Sequence, residues 1–171
     1  MPLLLLAIAM APRAHAEYWC PPGGYDEARA RGECIGDASP AKVKAFKQAW
    51  YDARKREASA LSVDFEDIVF AYLADGARSA KSAYCLVLFD DRPSAGLTRR
   101  LRRAHQNPLY CRTGVANSSF VYRISQLTAD TFLLNTGYYC GPLCAGEHFV
   151  TMRRNEDGTF VIEKTEELWI S

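Results

Sequence analysis

Residues 117–171 read NSSFVYRISQLTADTFLLNTGYYCGPLCAGEHFVTMRRNEDGTFVIEKTEELWIS, and the period of this stretch decides the fold. Phe120, Tyr122 and Ile124 alternate with Val121, Arg123 and Ser125. Phe132, Leu134, Thr136 and Tyr138 alternate with Leu133, Asn135, Gly137 and Tyr139. A repeat of two sends successive side chains to opposite faces, which is the signature of strands. Residues 148–154 and 159–170 continue in the same manner. Between them, Asn155-Glu156-Asp157-Gly158 is a hairpin turn with glycine placed for a left-handed residue. An antiparallel meander is the expected result.

Upstream the spacing changes to three and four. Ser39-Pro40 suits a helix start, because serine can cap free backbone N–H groups and proline fits the first helical position. Val43, Phe46, Trp50 and Ala53 then form a stripe, with most of the lysines and arginines off it. A second helix is expected from about Ser62–Asp64, with Phe65, Ile68, Val69, Tyr72 and Leu73 on one side and Asp75-Gly76 as its end. Residues 83–89 (AYCLVLF) read as a short buried strand, and Asp90-Asp91-Arg92-Pro93 turns the chain. Residues 94–105 form a third helical segment with Leu97, Leu101 and Ala104 inward, closed by Asn107-Pro108. Helices followed by a meander give an α+β fold, with the N-terminal helices packed on one face of the C-terminal antiparallel sheet and the whole stapled by disulfides.

The N-terminus bears on compartment. Met1 to Ala16 contains a short apolar run, a proline break and Ala14-His15-Ala16, the small-x-small ending that a signal peptidase accepts. The run is much shorter than the roughly 20 apolar residues needed to cross a bilayer. No lysine or arginine precedes it, which fits a start lying upstream or a chain that begins slightly late. The expected organisation is a signal peptide over 1–16 and a single domain over 17–171, beginning with an irregular arm over 17–40. Removing residues 1–16 takes Arg13 and no acid, so 21 basic residues against 20 acidic ones become 20 against 20. A neutral chain has no global field to attract nucleic acid or an anionic membrane, and no membrane span is expected after cleavage.

Six cysteines, Cys20, Cys34, Cys85, Cys111, Cys140 and Cys144, all follow the cleavage site. An even count in an exported chain suggests up to three disulfides, among 15 possible connectivities. Pairing of nearest neighbours is the simplest arrangement: Cys20–Cys34, Cys85–Cys111 and Cys140–Cys144. On the loop-entropy model the first two contribute about 3–4 kcal/mol each and the short last loop about 2 kcal/mol.

Candidate chemistry is sparse. Cys140-Gly141-Pro142-Leu143-Cys144 is one residue longer than a CxxC dithiol, and no helix is expected after it to acidify a thiol, so a structural disulfide is the expected role. Cys140, Cys144 and His148 give only three local donors of the kind zinc prefers, and export favours oxidation of the thiols. His105 ends a helix, where a positive tendency suits the dipole. The pairs Asp90-Asp91 and Glu166-Glu167 and the basic run Arg99, Arg100, Arg102 and Arg103 read as solvated surface. No catalytic residue, cofactor site or metal site is assigned. Gly137 to Cys144, then a strand, a glycine turn, another strand and the ending Leu168-Trp169-Ile170-Ser171, are similar to a family of uncharacterised exported bacterial proteins with a YCGxLCG hairpin and a W-x-S tail. The similarity is good from Ala129 onward, with Ala145 in place of a glycine and Phe160 in place of a tryptophan. It implies bacterial origin, export and this hairpin, but no activity. The expected function is a non-enzymatic binding protein of the periplasm or envelope, its partner a protein or surface component. The rivals are a small hydrolase or ligand-processing enzyme with its site between helices and sheet, and a thiol oxidoreductase using Cys140 and Cys144.

Overall fold

The computed structural model describes residues 17–23, 25–75, 83–109, 117–141 and 143–170. Within them the elements run β1 (Glu17–Trp19), α1 (Tyr25–Ala30), β2 (Ile35–Ala38), α2 (Pro40–Ser59), α3 (Phe65–Asp75), β3 (Tyr84–Leu88) and α4 (Ala95–Arg103), then β4 (Pro108–Leu109), β5 (Ser118–Gln126), β6 (Thr131–Gly141), β7 (Cys144–Arg154) and β8 (Phe160–Ile170). Residues 1–16, Gly76 and Cys111 lie outside the described residues, and with them the expected signal segment and the end of the second helix.

The main sheet has the order β4-β3-β5-β6-β7-β8. Strands β5 to β8 form the antiparallel meander the alternation predicts. The β7–β8 turn closes with the Gly158 N–H donating to the Asn155 carbonyl at 2.9 Å, and Gly158 has φ +83°. Strand β3 joins this meander in parallel to β5, and β4 in parallel to β3. Helix α4 carries the chain between β3 and β4, and such a crossover is what parallel neighbours require. The Ser94 hydroxyl caps α4 by accepting from the Leu97 N–H at 3.0 Å. Ser39 takes the equivalent position before α2 without a side-chain cap, and Pro40 supplies the start instead.

Helices cover both faces of the sheet. On one, Ile68, Val69 and Leu73 of α3 and Leu97 and Leu101 of α4 meet Leu86, Leu88, Val121, Leu134 and Val150, all buried. Each such side chain contributes roughly 1.5–3 kcal/mol relative to exposure. The Tyr72 hydroxyl of α3 donates to Thr136 Oγ1 at 3.3 Å on this face. Glu147 is opposite Gly137, one residue from Thr136, and so points the other way. There the Gly23 N–H donates to Glu147 Oε2 at 2.8 Å, and Trp19 and Tyr51 line a cavity with Val87 and Phe120. Helix α2 and the N-terminal arm therefore add cover on the face away from α3 and α4. The chain passes between faces around the end of β5, where Ser62 and Gln126 exchange two hydrogen bonds.

The arm is not irregular. Its strands β1 and β2 pair antiparallel, Glu17 with Ala38 and Trp19 with Ile35, with α1 between them. The Cys20–Cys34 disulfide, 4.3 Å between Cα atoms, closes the ends of this small unit. The covalent tie shortens the search for a pairing that polar, Gly- and Pro-rich sequence would not hold alone. Trp19 then packs edge-on against Phe46 and Trp50 at 5.9 and 6.0 Å.

One contact in the sheet depends on a missing side chain. Tyr122 stacks on Phe120 at 5.6 Å and lies over Gly137. A Cβ on Gly137 would stand 2.9 Å from the Tyr122 ring and 3.1 Å from the Gly146 carbonyl oxygen. Gly137→Ala is expected to lower stability by about 1–3 kcal/mol, the usual penalty for overpacking. In urea unfolding the midpoint should fall with an unchanged slope; an unchanged midpoint would show that the ring moves aside freely.

Candidate functional site

Two of the three expected disulfides lie wholly within the described residues. Cys20–Cys34 staples the arm, and Cys140–Cys144 closes the β6–β7 hairpin, with Cα atoms 5.1 Å apart. Cys85, in β3, is also disulfide-bonded, but Cys111 lies outside the described residues, so that pairing is not described. No described cysteine is free. Cys140 and Cys144 sit between two strands and not before a helix, the environment that leaves a thiol without dipole activation. His148 stacks on Tyr138 at 5.6 Å instead of joining these sulfurs. In the basic run, Arg100 donates to Asp67 at 2.6 Å and lies 4.6 Å over the Phe70 ring, so it is structural.

The polar side chains that do converge lie beneath the arm. A cleft of about 290 Å³ opens between Pro22-Gly23, α2 and the sheet, with Trp50, Arg123, Asn135 and Phe149 among its walls. Arg123, Asn135 and Phe149 are direct cross-strand partners on β5, β6 and β7, so they form one row on one face. Direct neighbours in such a row have Cβ atoms about 4.5–5.5 Å apart. Gly23 lies over the row; a Cβ there would stand 2.5 Å from Asn135 Nδ2, and its φ of +109° suits glycine.

Charge in the cleft is uneven. Arg31 donates to Glu33 at 3.0 Å, and this hydrogen bond, with Arg31, Arg54 and Arg123 nearby, holds the Glu33 carboxyl below its ordinary range against the opposing effect of burial. Arg54 donates to Glu57 at 2.8 Å and stacks 5.3 Å over Trp50. Arg123 Nε reaches the same Glu57 oxygen only at 4.0 Å. Three guanidinium groups thus face two carboxylates, and Arg123 is the most loosely paired. Asn135 is 4% exposed, and its Oδ1 finds no hydrogen-bond partner. Trp50 Nε1, Arg54 Nε and Arg123 Nε are likewise covered and without a hydrogen-bond partner. An unmet buried polar atom costs roughly 1–3 kcal/mol, so three on residues lining one cleft, with Arg54 stacked beside them on Trp50, are a feature to be explained. Composition gave no pointer to this cluster; the signal in the sequence was Asn135 and Gly137, poor strand formers inside an otherwise apolar strand.

A second cavity of about 180 Å³ lies on the other side of Pro22, between Trp19, Tyr51, Asp90 and Tyr122. Burial pushes the Tyr51 phenol up, and the charges of Asp90 and Glu147 add to it. Burial does the same to Tyr122, reinforced by Glu147, Tyr51 and Asp90. A phenol with a folded pKa above its unfolded value of about 10 keeps its proton longer when folded. Its contribution to stability is whole below about pH 10 and is lost as pH rises from there toward the folded pKa. Tyr51→Phe with Tyr122→Phe should therefore flatten the decline of urea stability above about pH 10. An equally steep alkaline decline in the double variant would place its origin elsewhere.

Among the described residues, no helix is long and apolar enough to cross a membrane. No family model, curated protein or solved structure matches the chain.

Proposed function

We propose that this is an exported, disulfide-stapled binding protein of the bacterial periplasm or cell surroundings that acts without catalysis, and that its binding site is the cleft beneath the N-terminal arm. The observation that carries this reading is Asn135, buried with an unpaired carbonyl in a row that begins at the loosely paired Arg123. Ligand sites are concave, largely apolar and furnished with a few unmet polar groups, and this cleft has that character. The disulfides fit an oxidising compartment. Export is further supported by the small-x-small ending at Ala14-His15-Ala16 and by the similarity of Ala129–Ser171 to exported bacterial proteins. The single disulfide staple on the arm suits a site that must keep its shape outside the cell.

The chain has three tryptophans, Trp19, Trp50 and Trp169, so an indole-labelled ¹⁵N spectrum gives one signal for each. Trp50 lines the cleft, whereas Trp169 is exposed near the end of β8. Titration with a set of small anionic, neutral and cationic fragments should shift the Trp50 signal for at least one class and leave Trp169 in place. If no fragment moves Trp50, the cleft is not a ligand site.

A further inference from the structure

We infer that the ligand of this cleft is an N-acylated α-amino carboxylate, the chemistry shared by free N-acyl amino acids and by peptide C-termini. The inference rests on the reading of the cleft as a binding site and adds the class of molecule it takes. It comes from the order of groups along one row of the sheet. Arg123, Asn135, Phe149 and Glu166 are successive cross-strand partners on β5, β6, β7 and β8. The row therefore offers a cation, an amide with an unmet acceptor and an aromatic ring, in that order, and ends at Glu166, an exposed carboxylate paired with Lys164 at 2.6 Å.

Each position selects a group. Arg123 presents a guanidinium whose nearest carboxylate oxygen, 4.0 Å away, is already taken by Arg54 at 2.8 Å. A guanidinium in that state matches a ligand carboxylate, with which it can form two parallel hydrogen bonds. Asn135 Oδ1 is an acceptor and calls for an N–H or O–H donor. Phe149 offers an apolar wall, which Leu133 and Pro22 extend. The single cation of the row stands at its Arg123 end, and this fixes the direction. A molecule that fits the row carries a carboxylate, then an N–H or O–H donor, then an apolar group. In an N-acyl amino acid these three follow one another on consecutive bonds. A simple inorganic anion would satisfy Arg123 and leave Asn135 unmet. A free amino acid would bring a second charge and no acyl group to Phe149. Asn135 lies beneath Gly23, so the ligand enters with a small outward shift of the Pro22-Gly23 strap, and the Cys20–Cys34 bond limits that shift.

The test uses N-benzoylglycine as the probe, followed by calorimetry and by the Trp50 indole signal. Three comparisons need no change in the protein. N-benzoylglycinamide lacks the carboxylate, 3-benzoylpropionate replaces the N–H with CH₂, and acetyl-Ala-Phe-Gly presents the same chemistry as a peptide end. N-benzoylglycine or the peptide should bind and shift Trp50, and the stronger of the two names the natural source. Removing the carboxylate or the N–H should each weaken binding by about tenfold or more, the loss expected for one buried, charge-assisted or otherwise unmet hydrogen bond. Arg123→Met should lose the preference for N-benzoylglycine over its amide, with melting confirming that the variant folds. Binding that is indifferent to both analogues overturns the inference. So does a Trp50 signal that answers to fragments of another class and not to these probes, although the cleft then stands as a site. Failure of every fragment removes the site itself.

Discussion

A hydrogen bond joins the two ends of this protein: the Gly23 N–H meets the Glu147 carboxylate at 2.8 Å across a separation of 124 residues. Glu147 is only 9% exposed, and a carboxylate in that position needs donors to offset its lost hydration. The arm brings a backbone donor to it. Once the arm is seated, Trp19 is placed against α2, Pro22 separates the two cavities, and Gly23 roofs Asn135. The Cys20–Cys34 bond closes the arm into a unit and so limits the conformations it can take away from this seat. Without the arm, the face of the sheet that carries Glu147, Asn135 and Phe149 would be open to water, and the candidate cleft would have no roof.

This dependence explains the uneven distribution of polar groups. The face under α3 and α4 is filled by aliphatic and aromatic side chains and is close to the simple core that alternation implies. The face under the arm holds Glu147, Asn135, Tyr51, Tyr122 and the guanidinium groups, and their hydrogen bonds are only partly met. Polar groups left unmet in this manner are poor investments for stability, and they concentrate where a protein binds something.

Much of the scaffold was legible in the sequence. The alternation in Phe120–Ile124 and Phe132–Tyr139 located β5 and β6 and divided the residues of β6 between the two faces as found, but in β5 the bulge between Val121 and Arg123 breaks the alternation and puts Val121 with Ile124 on one face and Phe120 with Arg123 on the other. Ser39-Pro40, Ser94 and Gly158 marked element ends because their backbone preferences are local. The pairing of Cys20 with Cys34 and of Cys140 with Cys144 followed from proximity in the chain. What was not legible depends on contacts between distant segments. Nothing local in residues 84–88 says that they pair in parallel with β5, and the docking of α2 with the arm opposite α3 turns on a path around the end of the sheet. The cleft is the extreme case. Arg123, Asn135 and Phe149 become a row only through strand register, which involves a bulge between Val121 and Arg123. One strand slipped by a residue would send Asn135 to the other face.

Hydrogen exchange at the Gly23 amide reports whether the arm is a docked part of the fold and the roof of a site. Protection of Gly23 comparable to that of the β6 and β7 amides is expected, and its loss in Glu147→Met or after reduction of Cys20–Cys34 while the sheet stays protected. Exchange of Gly23 at the rate of an unstructured peptide in the intact protein would contradict it, because the arm would then not be held against the sheet.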